Sequence, residues 1–197
     1  LKLIEYSKLK NLKVGFSFFR KEDAIKCKFI KKLDFLKVPS AECLNFDLIK
    51  YLLKFKRLLF ISTGGQNNSS IKTIINEFKN KLIYFHCVAN YPVEIGNQNL
   101  KSIKWLIDQK IKEVGYSSHD IDYNVCLLAM SQGARWVERH ITLDKNGFGL
   151  DDSTSSDVKE FKIITKFADN FSSILGSENK SINQGELLNI QNLGTSL

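Results

Sequence analysis

The sequence predicts an α/β protein built on a parallel sheet, carrying about six βα units of a (βα)8 TIM barrel. Three observations predict it. Short apolar runs begin near residues 14, 34, 57, 82, 111 and 135. A stretch with helical spacing of apolar residues follows each run. Strands buried on both faces read as near-continuous apolar runs, and their alternation with helices implies a parallel sheet. Third, polar residues gather at the carboxyl end of every run: Ser17, Lys37 with Ser40, Ser62 with Thr63, His86, Ser117 with His119, and Glu138 with His140. An open doubly wound sheet concentrates its site at one switch point, whereas a barrel recruits the ends of many strands. The spread favours an incomplete barrel whose first two strands are missing.

Taken in order, residues 1–13 have helical spacing with no strand before them, so they belong to the absent second unit. Residues 14–19 form a short apolar strand. Residues 21–33 place Ala24, Ile25, Phe29 and Leu33 at helical intervals. Residues 34–41 are the next strand, closed by Pro39. Asn45 caps a helix over 46–54. The strand 57–63 runs into Gly64 and Gly65, and one of residues 68–70 caps the helix 71–79. The apolar strand 82–89 ends at Tyr91 and Pro92. A helix over 99–110 leads to a strand over 111–117. A helix over 122–132 stops at Gly133. The last strand covers 135–141. An amphipathic helix spans 158–175 with Gly176 as its C-cap. The expected organisation is a partial barrel over 1–176 and an extended polar tail over 177–197.

Composition excludes several classes. The 197 residues are 43% hydrophobic, which suits one domain with a real core. No apolar run approaches the roughly 20 residues that span a bilayer, and no signal-peptide pattern opens the chain. Cys27, Cys43, Cys87 and Cys126 form no C-x-x-C pair, so they read as reduced thiols of a cytoplasmic protein. The net charge of +8 comes mostly from lysines spread over helix faces. Without a basic-aromatic cluster this is a solvated surface rather than a nucleic-acid site. The chain begins with Leu1, so the expectation is a fragment of a longer protein.

Chemistry concentrates in residues 115–152. His119 and His140 are two of three histidines in the chain, and each falls near a strand end. Two imidazoles on neighbouring strand ends suit a divalent metal facing a cleft. Glu138 lies two residues before His140, on the same strand face, where a carboxylate orients a ligand or acts as a base. Two ordinary strand-end histidines fit the same residues, and the pair alone leaves both readings open.

The motifs resemble those of the sialic acid synthase (N-acetylneuraminate synthase) family. F-L-K-V-P-S-A-E at 35–42 is similar to the K-I-x-S-x-E strand, and I-S-T-G-G at 61–65 to L-S-T-G-M. H-C-V-A-N-Y-P at 86–92 resembles H-C-T-S-x-Y-P, and G-Y-S-S-H at 115–119 resembles G-Y-S-D-H. V-E-R-H-I-T-L-D-K-N at 137–146, with G-L-D at 149–151, resembles E-K-H-F-T-L-D-x-x-x-x-G-P-D. The resemblance implies condensation of phosphoenolpyruvate with an N-acetylated hexosamine to a nonulosonic acid. It implies that His119 and His140 hold a divalent ion, manganese first and magnesium or cobalt as alternatives. Lys37, Ser40, Ser62, Ser117 and Ser17 would bind phosphoenolpyruvate. Glu138 would serve as base or electrostatic stabiliser, with Tyr91 and Asp151 on the sugar. A homodimer of the full-length form is implied, with no nucleic-acid or membrane partner.

Several positions depart from the pattern. Ser118 replaces an aspartate expected to orient His119, and Ala89 replaces a polar ligand contact. Leu150 replaces proline and Asp152 a frequent histidine. The family's first two strands would supply a glutamate and a lysine, and a C-terminal antifreeze-protein-like domain would lend an arginine to the partner's site. The chain alone is therefore expected to be nearly inactive. Another metal-dependent barrel isomerase or aldolase, and a non-catalytic remnant of the synthase, are the competing readings.

Overall fold

The fold is known from a computed structural model that describes residues 1–194. A helix, α1 (Lys2–Leu9), precedes the first strand. Six parallel strands then follow in sequence order: β1 (Gly15–Ser17), β2 (Phe35–Val38), β3 (Leu58–Ser62), β4 (Ile83–Cys87), β5 (Val114–Ser118) and β6 (Trp136–Arg139). A helix follows each strand: α2 (Lys21–Lys26), α3 (Phe46–Leu53), α4 (Asn68–Phe78), α5 (Lys101–Asp108), α6 (Asn124–Ser131) and α7 (Val158–Leu175). The predicted alternation and the parallel sheet are both present. No helix among the described residues is long and apolar enough to cross a membrane.

Local chemistry explains the boundaries. Asn45 accepts a hydrogen bond from the Leu48 N–H, the predicted cap of α3. The cap of α4 is Asn67, one residue before the predicted set; its side chain accepts from the Ser70 N–H. Asp157 and Glu160 form a reciprocal capping box at the start of α7, and Gly176 ends it at φ 62°. The predicted helix over 21–33 is shorter: α2 stops at Lys26, Cys27 is extended, and a 3-10 turn covers Ile30–Lys32. The predicted strand over 111–117 begins three residues later, at Val114. The tail differs most. Residues 177–197 were expected to be extended, yet α8 (Gln184–Leu193) forms there, capped by an Asn183–Glu186 box. The last three residues of that tail lie outside the described residues.

The sheet curls, and its inner contacts show how far. Phe60 on β3 meets Trp136 on β6 with ring centroids 5.2 Å apart. Lys37 on β2 forms an ion pair with Glu138 on β6. Those strands are four spacings apart, roughly 19 Å in a flat sheet at about 4.8 Å per strand. Alternation then sorts the side chains. Phe35, Phe60, Ile83, Phe85 and Trp136 fill the concave side as an apolar layer. Leu36, Val38, Leu59, Ile61, Tyr84 and Tyr116 point outward and pack beneath the helices with Leu48, Ile74 and Ile103. The inner aromatic layer forms a floor, and the strands' carboxyl ends stand above it.

The curled half-barrel leaves β1 and β6 as outer strands. Beyond β6, Ile141 bridges Ser156 in the parallel sense. The Ser156 N–H donates to the His140 carbonyl at 2.9 Å, and the Thr142 N–H to the Ser156 carbonyl at 3.0 Å. The chain after β6 thus fastens itself beside the strand end that carries His140.

Gly115 sits in register between Phe85 and Trp136. A Cβ there would fall 2.5 Å from Phe85 and 2.9 Å from Trp136. Gly115→Ala should therefore overpack the floor and destabilise the fold by about 1–3 kcal/mol, read as a lower midpoint in urea unfolding.

Candidate active site

The cleft forms where the inner-facing positions at the carboxyl ends of the strands rise above the aromatic floor. On β2 this position is Lys37, and its register partner on β1 is Ser17. On β3 it is Ser62, on β4 Cys87, on β5 Ser117 and on β6 Glu138. His119 and His140 stand one residue beyond β5 and β6. These side chains, with Ser40, Ala89 and Tyr91, line one cleft of about 390 Å³.

The cleft has a charged centre. Lys37 Nζ donates to Glu138 Oε1, which also accepts from the Ser117 hydroxyl at 2.9 Å. The Lys37 side chain is only 15% exposed. Ser62 Oγ is buried without a hydrogen-bond partner. The Ser62 hydroxyl and the largely buried Lys37 ammonium line one cleft, so both are donors open to a ligand that enters it. Ser40 sits on a 3-10 turn, Ser40–Glu42, just after β2. Its Oγ accepts from the Gly64 N–H at 3.1 Å and lies 3.6 Å from Cys87 Sγ. An ammonium, three hydroxyls and a loop N–H make a cradle suited to a small polyanion.

The imidazoles stand opposite. Their ring centroids are 5.5 Å apart. His119 is 4% exposed, and its Nδ1 lies 2.9 Å from the Val88 carbonyl. A carbonyl only accepts, so Nδ1 carries the proton and Nε2 keeps its lone pair. Burial, the main cause, pushes the His119 pKa down, against a raising effect of the Val88 hydrogen bond. A neutral ring with a free Nε2 is the form that binds a metal. His140 Nδ1 lies 3.6 Å from Asp151 Oδ2. Among the described residues no three His, Cys, Asp or Glu side chains converge as a metal-binding group. An ion held by these two imidazoles would need its other ligands from water or substrate.

Most of the predicted site residues meet here: Lys37, Ser40, Ser62, Ser117, Glu138, His119, His140, Tyr91 and, at the open end, Ser17. Asp151 lies beside His140 rather than among the cleft-lining residues. Tyr91 stacks on His119 at a centroid distance of 3.9 Å and meets His140 edge-on at 6.0 Å. Partial burial pushes its phenol up to about 12. Two expectations need correction. His86, one of the strand-end polar residues, faces outward, with Nε2 2.7 Å from the Gln98 carbonyl. Strand alternation gives the inner position to Cys87 instead. Ser118 also points outward: it donates to Asp120 and accepts from Arg139, so it does not touch His119. The support expected of position 118 comes from the Val88 carbonyl. Sequence reasoning missed Cys87 as a cleft residue, although the inward phase set by Phe85 marks it.

Fold and site together define a parallel α/β half-barrel with an anion cradle and an imidazole pair at the carboxyl ends of its strands. The chain matches the NeuB family over residues 1–180 and belongs to that family. It is 32% identical over 160 residues to the N,N'-diacetyllegionaminic acid synthase of Legionella pneumophila, covering 77% of this chain and 45% of that protein. It is 29% identical over 183 residues to the human N-acetylneuraminate-9-phosphate synthase, covering 89% of this chain and 50% of that protein. Among solved structures, it superposes on the N-acetylneuraminic acid (sialic acid) synthetase of Leptospira borgpetersenii, crystallised with citrate, with a TM-score of 0.84 and 27% identity. That match covers 98% of this chain and 69% of the other. The chain spans about half the length of the curated relatives it matches.

Burial pushes the pKa values of both His86 and His119 below the ordinary 6.5. The unfolded chain then binds more protons than the folded one as pH falls through 6.5, so stability present above that value is lost on acidification. His86→Asn and His119→Asn should each flatten the fall of the thermal midpoint with pH below about 6.5, measured against the parent protein.

Proposed function

We propose that the protein is the barrel portion of a nonulosonic acid synthase. It would condense phosphoenolpyruvate with an N-acetylated hexosamine, N-acetylmannosamine or a di-N-acetyl relative, and release phosphate. The observation that carries this reading is the Lys37–Ser62–Ser117 cradle facing the His119–His140 pair across one cleft. Membership of the NeuB family supports it. Action in the cytoplasm, as a homodimer of the full-length form, belongs to the same reading.

Each side chain has a task in this chemistry. Lys37 and the hydroxyls of Ser17, Ser40, Ser62 and Ser117 bind the phosphate and carboxylate of phosphoenolpyruvate. The ligand takes over the bond that Lys37 gives to Glu138, which frees the carboxylate. His119 and His140 would hold a divalent ion, manganese by preference, which would polarise the sugar's aldehyde as a Lewis acid. The methylene carbon of phosphoenolpyruvate forms a bond to the aldehyde carbon as the carbonyl π bond breaks, the aldehyde oxygen takes up a proton from solvent, and positive charge develops at C2. Glu138 stabilises that charge and accepts a proton from the water that adds to C2. Cleavage of the bond from C2 to the phosphate ester oxygen then releases phosphate, the C2 hydroxyl gives up its proton to the departing phosphate, and the keto acid remains. Tyr91, half exposed, and Asp151, beside His140, would orient the sugar.

Two measurements test this. In the full-length form, manganese-dependent phosphate release from phosphoenolpyruvate plus an N-acetylhexosamine should vanish in His119→Ala and in His140→Ala; full activity in either variant contradicts the assignment. Calorimetry should show that Lys37→Met weakens phosphoenolpyruvate binding by about tenfold or more, the loss of one charge-assisted contact, with manganese affinity retained.

A further inference from the structure

Behind the cleft, on the helix-facing side of the sheet, lies a buried polar network that the proposed chemistry does not use. Its centre is Arg139, the residue before His140, at 8% exposure. Arg139 Nη1 donates to Ser118 Oγ at 2.9 Å and to the Asp120 carbonyl at 2.5 Å. Nη2 donates to the Ile121 carbonyl at 3.3 Å, and Nε to Ser156 Oγ at 2.8 Å. The guanidinium thus grips the chain on both sides of His119. It also holds Ser156, whose N–H bonds the His140 carbonyl. The counter-charge is Asp120, 1% exposed, whose Oδ2 accepts from Tyr116 at 2.6 Å and from Ser118 at 2.8 Å. The Ser118 hydroxyl therefore links cation to anion, accepting from Arg139 and donating to Asp120.

We propose that Arg139 is a positioning residue: without reaching the cleft, it fixes the separation of the two imidazoles. Three features carry this. The contacts join the segments bearing His119, His140 and Ser156, and no other side chain in the network touches all three. A planar fork of donors can serve acceptors at several fixed positions at once, which a point-charge ammonium cannot. A buried guanidinium left without its acceptors is costly, so separating these segments from it is opposed. Its value for metal binding rests on the reading of His119 and His140 given above; its mechanical role does not.

The test compares the parent protein with Arg139→Met, which keeps the apolar stem and removes the donors, and Arg139→Lys, which keeps the charge without the fork. Circular dichroism establishes that each variant is folded. Two readouts need no turnover. The first is hydrogen exchange of the Val93, Thr142 and Ser156 amides, which bond the carbonyls of His119, Ser156 and His140. The second is manganese affinity by calorimetry. Arg139→Met should exchange faster at those amides and bind manganese about tenfold more weakly, the scale seen when a ligand's support is lost. Arg139→Lys should fall between. If Arg139→Met does not fold, the same readouts on Arg139→Lys decide. Unchanged exchange in the folded variant overturns the proposal whatever manganese does. A parent protein that takes up no manganese defeats the metal reading instead, and the exchange result still decides the role of Arg139.

Discussion

An ammonium from β2 and a carboxylate from β6 meet across the concave side of the sheet, and the rest of the site depends on that meeting. Lys37 and Glu138 are 101 residues apart in sequence. They touch because the sheet curls, and the sheet curls because Phe35, Phe60, Phe85 and Trp136 pack into one inner layer. The ion pair is partly shielded, with Lys37 at 15% and Glu138 at 35% exposure. Such a pair gives little net stability. What it does structurally is hold a cation and a carboxylate within one hydrogen bond of each other at the centre of the cleft.

The two halves of the cleft are supported differently. Apart from Ser40, the cradle is built from side chains standing directly on strands, so backbone pairing fixes Lys37, Ser62 and Ser117. The histidines stand just past the strand ends, where pairing has stopped, and need other anchors. For His119 these are the Val88 carbonyl, the stacked Tyr91 ring and the grip of Arg139 on the flanking chain. For His140 they are the Ser156 N–H and the neighbouring Asp151. Residues beyond strand ends need this outside support to hold a precise geometry.

Much of this was legible in the sequence, for physical reasons. Parallel strands buried on both faces must be apolar throughout, so their spacing revealed the sheet. Polar side chains at their carboxyl ends then stood out, and Lys37, Ser62, Ser117, Glu138, His119 and His140 do converge. What failed was phase. His86 counted among the polar strand-end residues and position 118 as a support for His119, yet each is one position out of step with the inner face. The tail misled for another reason: its polar composition hid a capping box, Asn183 with Glu186, that starts a helix without any core to pack against. Tertiary bonds were out of reach of pattern reading. Nothing in the order of Arg139, Ser118, Asp120 and Ser156 announces that they share one network.

The most direct test of the account is whether metal and polyanion occupy one cleft. With manganese bound, phosphorus relaxation of phosphoenolpyruvate should be strongly enhanced, because a paramagnetic ion held by His119 and His140 would lie across the cleft from Lys37. The account predicts that this enhancement disappears when either the imidazole pair or the Lys37 ammonium is removed. Enhancement that survives both substitutions, or phosphoenolpyruvate that binds with no relaxation effect at all, would contradict it.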